Sequence, residues 1–295
     1  ADIDTSGLDA NLVGKVHAFG RAHEVVLGAN YSHNRIDTGY SYLLNYHSFN
    51  AFRFDPDLPE PSSDAIRAGT NELRIGSARE LGFYSTTRLH LADPLKLVLG
   101  GRFSRSARFW DTDTTTGGVL TRGQTAQKNT HFTPYAGVLL DLTPQWTAYA
   151  SYTDIFQPQN LKDVAGNLLD PIVGESSEVG IKGEFFDRRV NAGLAVFYIK
   201  QDKLGQAAGV FEPGQAGAIG DAYYRAADGA TSKGIEIDIS GELAPGLNAS
   251  LGYSIYRAED AAGNGFNTIY PRGLLRTYAT YRLPGDWSKL TVGGG

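Results

Sequence analysis

The chain has 295 residues, a formal net charge of −5 and a pI near 5.7, an acidic balance that argues against nucleic acid, whose binding domains carry basic stripes. No apolar run reaches the roughly eighteen residues of a membrane helix. A mean hydropathy of −0.27 suits a membrane β-barrel as well as a soluble protein, because only alternate strand residues meet lipid. Zero cysteines exclude a disulfide framework, thiol chemistry and zinc fingers.

Residue 1 is alanine, methionine is absent and no signal peptide opens the chain, while Thr291 to Gly295 stops in what should be a running strand. The expectation is a fragment. A first strand is predicted around Leu12 to Phe19, a turn at Gly20-Arg21-Ala22, and a second strand in which Val25, Leu27, Ala29 and Tyr31 alternate with polar residues towards Tyr40. Tyr40 to about Asn71 is a long connection rich in aromatics, Pro and Asp, of a length that implies function. Strands follow at about Leu73 to Leu91 and from Leu97 past Phe103, turning at Asp93-Pro94; Thr112 to Gln127 is predicted as a second long loop.

Ala136, Val138, Leu140 and Leu142 form one face of the next strand, and after Thr143-Pro144-Gln145 the residues Trp146, Ala148, Ala150 and Tyr152 continue it. Gln157 to Gly174 is a third loop. Val179, Ile181 and Phe185 alternate with Glu178, Lys182 and Glu184, and Val190 to Tyr198 repeats the pattern after a turn at Asp187-Arg188. Gly205 to about Thr231 is a fourth loop. The purest hairpin runs from Lys233 to Ile255, where Ile235, Ile237 and Ile239 oppose Glu236 and Asp238 in alternation. A fifth loop (about Glu259 to Pro271) and a strand with Leu275, Ala279 and Tyr281 follow, then a turn at Pro284-Gly285-Asp286.

About twelve strands are joined by short turns and long loops in strict alternation. In an up-and-down sheet this sends all short turns to one rim and all long loops to the other, as in outer-membrane barrels. The apolar faces find nothing in the chain to cover them, so they are assigned to lipid. Glu178, Lys182, Glu184, Glu236, Asp238 and Glu242 are assigned to a wet interior, and Trp146, Tyr152, Tyr253, Tyr281 and Trp287 to aromatic girdles. The fold class is an all-β, antiparallel, up-and-down transmembrane β-barrel.

Four stretches add a resemblance: Ala150-Ser-Tyr-Thr-Asp-Ile-Phe-Gln-Pro-Gln159, Leu169-Asp-Pro-Ile-Val-Gly174 running into Ser177-Glu-Val-Gly-Ile-Lys-Gly-Glu-Phe-Phe-Asp187, Thr231-Ser-Lys-Gly-Ile-Glu236, and Tyr281-Arg-Leu-Pro-Gly-Asp-Trp287. They resemble the barrel of TonB-dependent siderophore receptors, in the branch taking ferric hydroxamate, coprogen and pyoverdine-type chelates. The resemblance implies a 22-stranded barrel around a plug, of which residues 1–295 are the middle section with the plug absent. It places the protein in the outer membrane of a Gram-negative bacterium. Its partners are a ferric siderophore, outer-membrane lipid and lipopolysaccharide, and the TonB complex reached through the missing plug region. Transport of the chelate needs no covalent chemistry, so no enzyme activity and no cofactor bound directly by the protein are expected. A passive porin or substrate-specific outer-membrane channel is the alternative.

The chemistry visible in the residues agrees with a binding role. Six scattered histidines show no metal-ligand spacing, Asp111-Thr-Asp113 lacks the remainder of a calcium loop, and no nucleophile elbow or phosphate loop occurs. Rigid amphipathic rings bind a bulky polar chelate at low entropic cost. Tyr40, Tyr42, Tyr46, Phe52, Trp110, Phe156 and Tyr198, at the outer strand ends, are the candidate ligand contacts.

Overall fold

The computed structural model describes residues 1–42, 60–116, 119–212, 214–217, 221–265 and 269–295. Five strands open the chain, β1 (Asp2–Ala18), β2 (Arg21–Tyr42), β3 (Thr70–His90), β4 (Leu95–Thr116) and β5 (Val119–Asp141), with a short helix α1 (Ser63–Ala68) ahead of β3. Next come β6 (Trp146–Gln157), β7 (Ile172–Phe185) and β8 (Val190–Asp202), then a small hairpin of β9 (Leu204–Val210) and β10 (Ala222–Ala227). Strands β11 (Ala230–Ala244), β12 (Leu247–Glu259), β13 (Gly273–Arg282) and β14 (Thr291–Gly294) follow. One antiparallel sheet takes twelve of them in chain order, β1 to β8 and then β11 to β14, while β9 and β10 pair only with each other.

Register keeps like with like, as period-two alternation demands. On one face Val179 lies across from Val196, Val196 from Ile235, and Ile235 from Ile255. On the other, Gly180, Ala195, Glu236 and Ser254 form the parallel row. The apolar face is bare: Ile235, Ile237 and Ile239 are 42%, 37% and 37% exposed, so no residue of the described chain roofs them. Among the described residues no large side chain is fully enclosed, which a soluble sandwich of this size would require. A single sheet with an uncovered apolar face and no second layer is a wall built for a bilayer.

Against the expected strict alternation, the long-loop end also carries the brief β4–β5 connection, while every connection at the other end is a short turn. The first is Phe19-Gly20, one residue earlier than expected, with both φ angles positive (51° and 72°) as a two-residue hairpin matching strand twist requires. At that end His23 accepts the His90 backbone N–H at Nδ1 (3.1 Å) and reaches the Ala18 carbonyl through Nε2 (3.1 Å), so it is a structural clasp.

Three expectations need correction. Thr112 to Gln127 is not a loop: β4 and β5 remain in register up to Thr116 opposite Val119. Its run of β-branched threonines satisfies strand geometry although its polarity suggested a loop. The first strand begins at Asp2, well before Leu12. The loop after β8 folds part of its length into β9 and β10.

Two loops at the opposite end share one construction. Asp163-Val-Ala-Gly-Asn167 and Asp260-Ala-Ala-Gly-Asn264 each close on themselves: the aspartate Oδ1 accepts the backbone N–H groups two and four residues on (2.9 and 2.8 Å at Asp163, 2.9 and 2.9 Å at Asp260). The glycines Gly166 and Gly263 take φ of 84° and 82°, a region closed to most side chains. The N–H of Asn264 is the main influence holding the Asp260 carboxyl below the ordinary carboxylate range.

Candidate functional site: a roofed cavity at the long-loop rim

Strand length places the site. β2 to β5 run for 21 to 23 residues, whereas β6 to β8 and β11 to β13 run for 10 to 15. About ten tilted residues cross an apolar belt of roughly 25 Å, so the longer strands continue past it, and the excess lies on the long-loop side because the short turns share the other rim. Their polar-face residues there are Glu72 and Arg74 of β3 and Trp110, Thr112, Thr114 and Thr116 of β4, in register with Thr121 and Gly123 of β5.

Loop residues 158–171 and the β9–β10 hairpin cover this surface. Gln159, 7% exposed, donates from Nε2 to the carbonyls of Asp170 (2.5 Å) and Lys203 (2.8 Å), tying the two loop segments together. Lys203 Nζ reaches Asp170 at 2.8 Å, and the Tyr224 N–H donates to the Lys162 carbonyl at 2.8 Å. The loop is fixed to the sheet from below, where Arg108 donates to Asn160 (2.6 Å) and Gln127 to the Leu169 carbonyl (2.9 Å). Both anchors belong to the polar face, so the roof closes the interior side and leaves the apolar side free.

Beneath the roof is a cavity of about 570 Å³ lined by the threonine hydroxyls, Trp110, Phe211, Tyr224, Arg74 and Lys162. The volume lies within the range of small-molecule sites. Trp110 stands over Gly76, its register partner, where any Cβ would collide with the indole. Arg74 contacts the carboxylate of Glu72, which is only 4% exposed, and lies 4.0 Å from Asp221 and 6.0 Å from the Tyr40 ring centroid. Burial first, and the charge of Arg74 second, push Lys162 below the ordinary lysine value, with Asp221 partly opposing them. A cation so desolvated is an electrostatic anchor for an anionic oxygen, the threonines offer hydroxyls, and the rings offer flat apolar surface.

Of the sequence candidates, Trp110 lines this cavity and Tyr40 stands at its margin. Tyr46 and Phe52 lie outside the described residues, as does the side chain of Tyr42. Phe156 stacks on His131 (4.5 Å between centroids, 9° between planes) away from the cavity lining. Tyr198 pairs with Ser177 and Lys233 on the apolar face, in the row of Val196, and points away from the interior. Arg74, Lys162, Phe211, Tyr224 and the threonine row were missed. The row carried a signal, since alternate residues of a β-branched run share one face. Lys162 and Tyr224 carried none, because only loop folding brings them to the strands. Among the described residues no group of three potential metal ligands converges.

The chain is 39% identical over 293 residues to the ferric-pyoverdine 358 receptor of Pseudomonas putida, and 35% identical over 298 residues to the ferripyoverdine receptor of Pseudomonas aeruginosa. These alignments cover 98% and 99% of this chain and 34% of each relative, so the chain spans about a third of the length of the curated relatives it matches. The solved pyoverdine outer membrane receptor of Pseudomonas aeruginosa, bound to pyoverdine, superposes with a TM-score of 0.75 at 31% identity, covering 99% of this chain and 41% of that one. The alcaligin outer membrane receptor of Bordetella pertussis gives 0.70 at 31% identity, covering 99% and 45%. A single uncovered sheet, its interior-side rim cavity and a match over residues 2–295 to the model for the β-barrel of TonB-dependent receptor-like proteins lead to one conclusion: the chain belongs to the TonB-dependent receptor β-barrel family, in the outer membrane of Gram-negative bacteria.

Proposed function

We propose that the protein carrying this chain takes up a ferric siderophore of the pyoverdine class across the outer membrane. Residues 1–295 form the middle section of its larger barrel, and outer-membrane lipid with lipopolysaccharide surrounds it. The observation that carries the reading is the rim cavity, where Trp110, the threonine hydroxyls and the half-buried Lys162 offer a peptide-bearing anionic chelate a ring, hydrogen bonds and a cation together. The relatives named above are receptors for such chelates, which supports the same ligand class here. Energy enters through TonB and a plug domain, and the barrel binds and passes its ligand without breaking or forming a covalent bond.

The test is uptake of radio-iron by a strain that makes no siderophore and lacks its own receptors, supplied with individual ferric pyoverdines. Expression of the full-length receptor is expected to confer TonB-dependent uptake of at least one of them. Equal uptake of every chelate with and without the receptor would overturn the proposal.

A further inference from the structure

Charged side chains on the lipid side of a barrel are tolerated where headgroups begin, just beyond the apolar belt. Three outward-facing cations of this sheet near the long-loop rim are closed by a carboxylate two residues on along the same face. Arg35 meets Asp37 at 3.0 Å, Lys200 meets Asp202 at 3.6 Å, and Arg257 contacts Glu259 directly. Lys233 of β11, beside Tyr198 and Arg257, lacks such a carboxylate, and so do Arg79, Arg105 and Lys128. The last three are exposed, and none has a carboxylate two residues away or as its register partner on that face.

They are also neighbours. Ala107 of β4 pairs with Arg79 of β3 on one side and Lys128 of β5 on the other, and Arg105 is the next outward residue of β4. The methyl of Ala107 leaves the space between the three long side chains open. At about 4.8 Å per strand, the Arg79 and Lys128 backbones are some 10 Å apart, a gap both side chains can bridge towards one group. Towards the short-turn side the register sets Phe83, Phe103 and Phe132 in a single row across β3, β4 and β5, exposed by 52%, 45% and 58%. An uncompensated cationic triangle thus stands directly above an apolar aromatic shelf.

The geometry points to a bound lipid at this place: a phosphate-bearing headgroup held by Arg79, Arg105 and Lys128, with its acyl chains lying on the phenylalanine row. In the external leaflet of the outer membrane that chemistry is the phosphorylated, acylated end of lipopolysaccharide. The assignment rests on the outer-membrane reading but not on the siderophore. Arginine and lysine favour phosphate through charge-assisted hydrogen bonds, and the aromatic shelf supplies the hydrophobic part of the contact.

Two measurements on the full-length receptor, purified from outer membranes, test the site. Native mass spectrometry of the combined Arg79→Gln, Arg105→Gln, Lys128→Gln variant is expected to show lipid A retention reduced about tenfold or more, against no change for Lys200→Gln with Arg257→Gln. With the unaltered protein, phosphatase-treated lipid A is expected to bind at least about tenfold more weakly than bisphosphorylated lipid A, a comparison that needs no variant to fold. Unchanged retention in the triple variant, or equal binding of the two lipids, overturns the site. A receptor missing from the outer-membrane fraction would instead break the location on which the site depends.

Discussion

The sheet has two halves that differ in one variable. Strands β2 to β5 outrun the bilayer, and strands β6 to β8 and β11 to β13 stop near its width. The second half is a wall: its outward row of Val196, Ile235 and Ile255 and its inward row of Ala195, Glu236 and Ser254 satisfy lipid on one side and water on the other. The first half is a wall that becomes a platform, because its extra turns of pleat carry Trp110, Arg74 and the threonines above the belt, where the roof can meet them. The barrel fold therefore needs only the belt-length pattern, and a roofed rim platform is added by lengthening chosen strands.

The comparison predicts where binding is vulnerable. Trp110→Ala in the full-length receptor should weaken ferric-chelate binding most, by about 2 kcal/mol or roughly thirtyfold, as loss of a central aromatic anchor does. Tyr253→Ala on the wall half should leave the dissociation constant unchanged; fluorescence titration reads both, and equal effects would erase the distinction between the halves. A smaller effect is expected from Lys162. Its lowered value means that its proton leaves at a lower pH than that of an ordinary lysine, so affinity for an anionic ligand should be full below that value and fall as pH rises through it. Lys162→Gln should lower affinity about five- to tenfold and flatten that alkaline decline; a decline that persists in the variant would assign it to another group.

The smallest effect separates the twin loops. Asp163→Ala should loosen the roof and weaken binding about two- to threefold, whereas Asp260→Ala on the other half should leave binding intact. Both variants should become more susceptible to limited proteolysis at their own loop. For Asp260 the sign with pH follows from its lowered value: the ionised clasp is present above the ordinary carboxylate range and is lost only as pH falls through the lower folded value. Protection of that loop is therefore expected to persist through the ordinary carboxylate range and to fail only below it.

The sheet was legible because alternation is a local property. Ile235, Ile237 and Ile239 against Glu236 and Asp238 announce two faces whatever surrounds them. The rim was less legible where composition and geometry disagree: Thr112 to Thr116 looks like a loop by polarity and behaves as a strand by its β-branched side chains. Trp110, chosen as a ring near a strand end, lines the cavity, whereas Tyr198, chosen by the same criterion, stands on the apolar face, since nearness to the rim does not say which face a ring occupies. Counting its parity with Val196 would have settled the matter. Lys162 and Tyr224 meet the strands only through contacts made by backbone groups far apart in sequence, and no periodicity records those.

The two Asp-x-Ala-Gly-Asn loops carry a consequence for how such a surface diversifies. Each knot is fastened by five consecutive residues and borrows nothing from the strands beneath it for its own shape. A segment of that kind can be transplanted, or lengthened on either flank, without retuning the scaffold that receives it. Exchange of residues 163–167 between receptors then alters the rim loop while the Arg108–Asn160 anchor and the bilayer-spanning frame stay as they were.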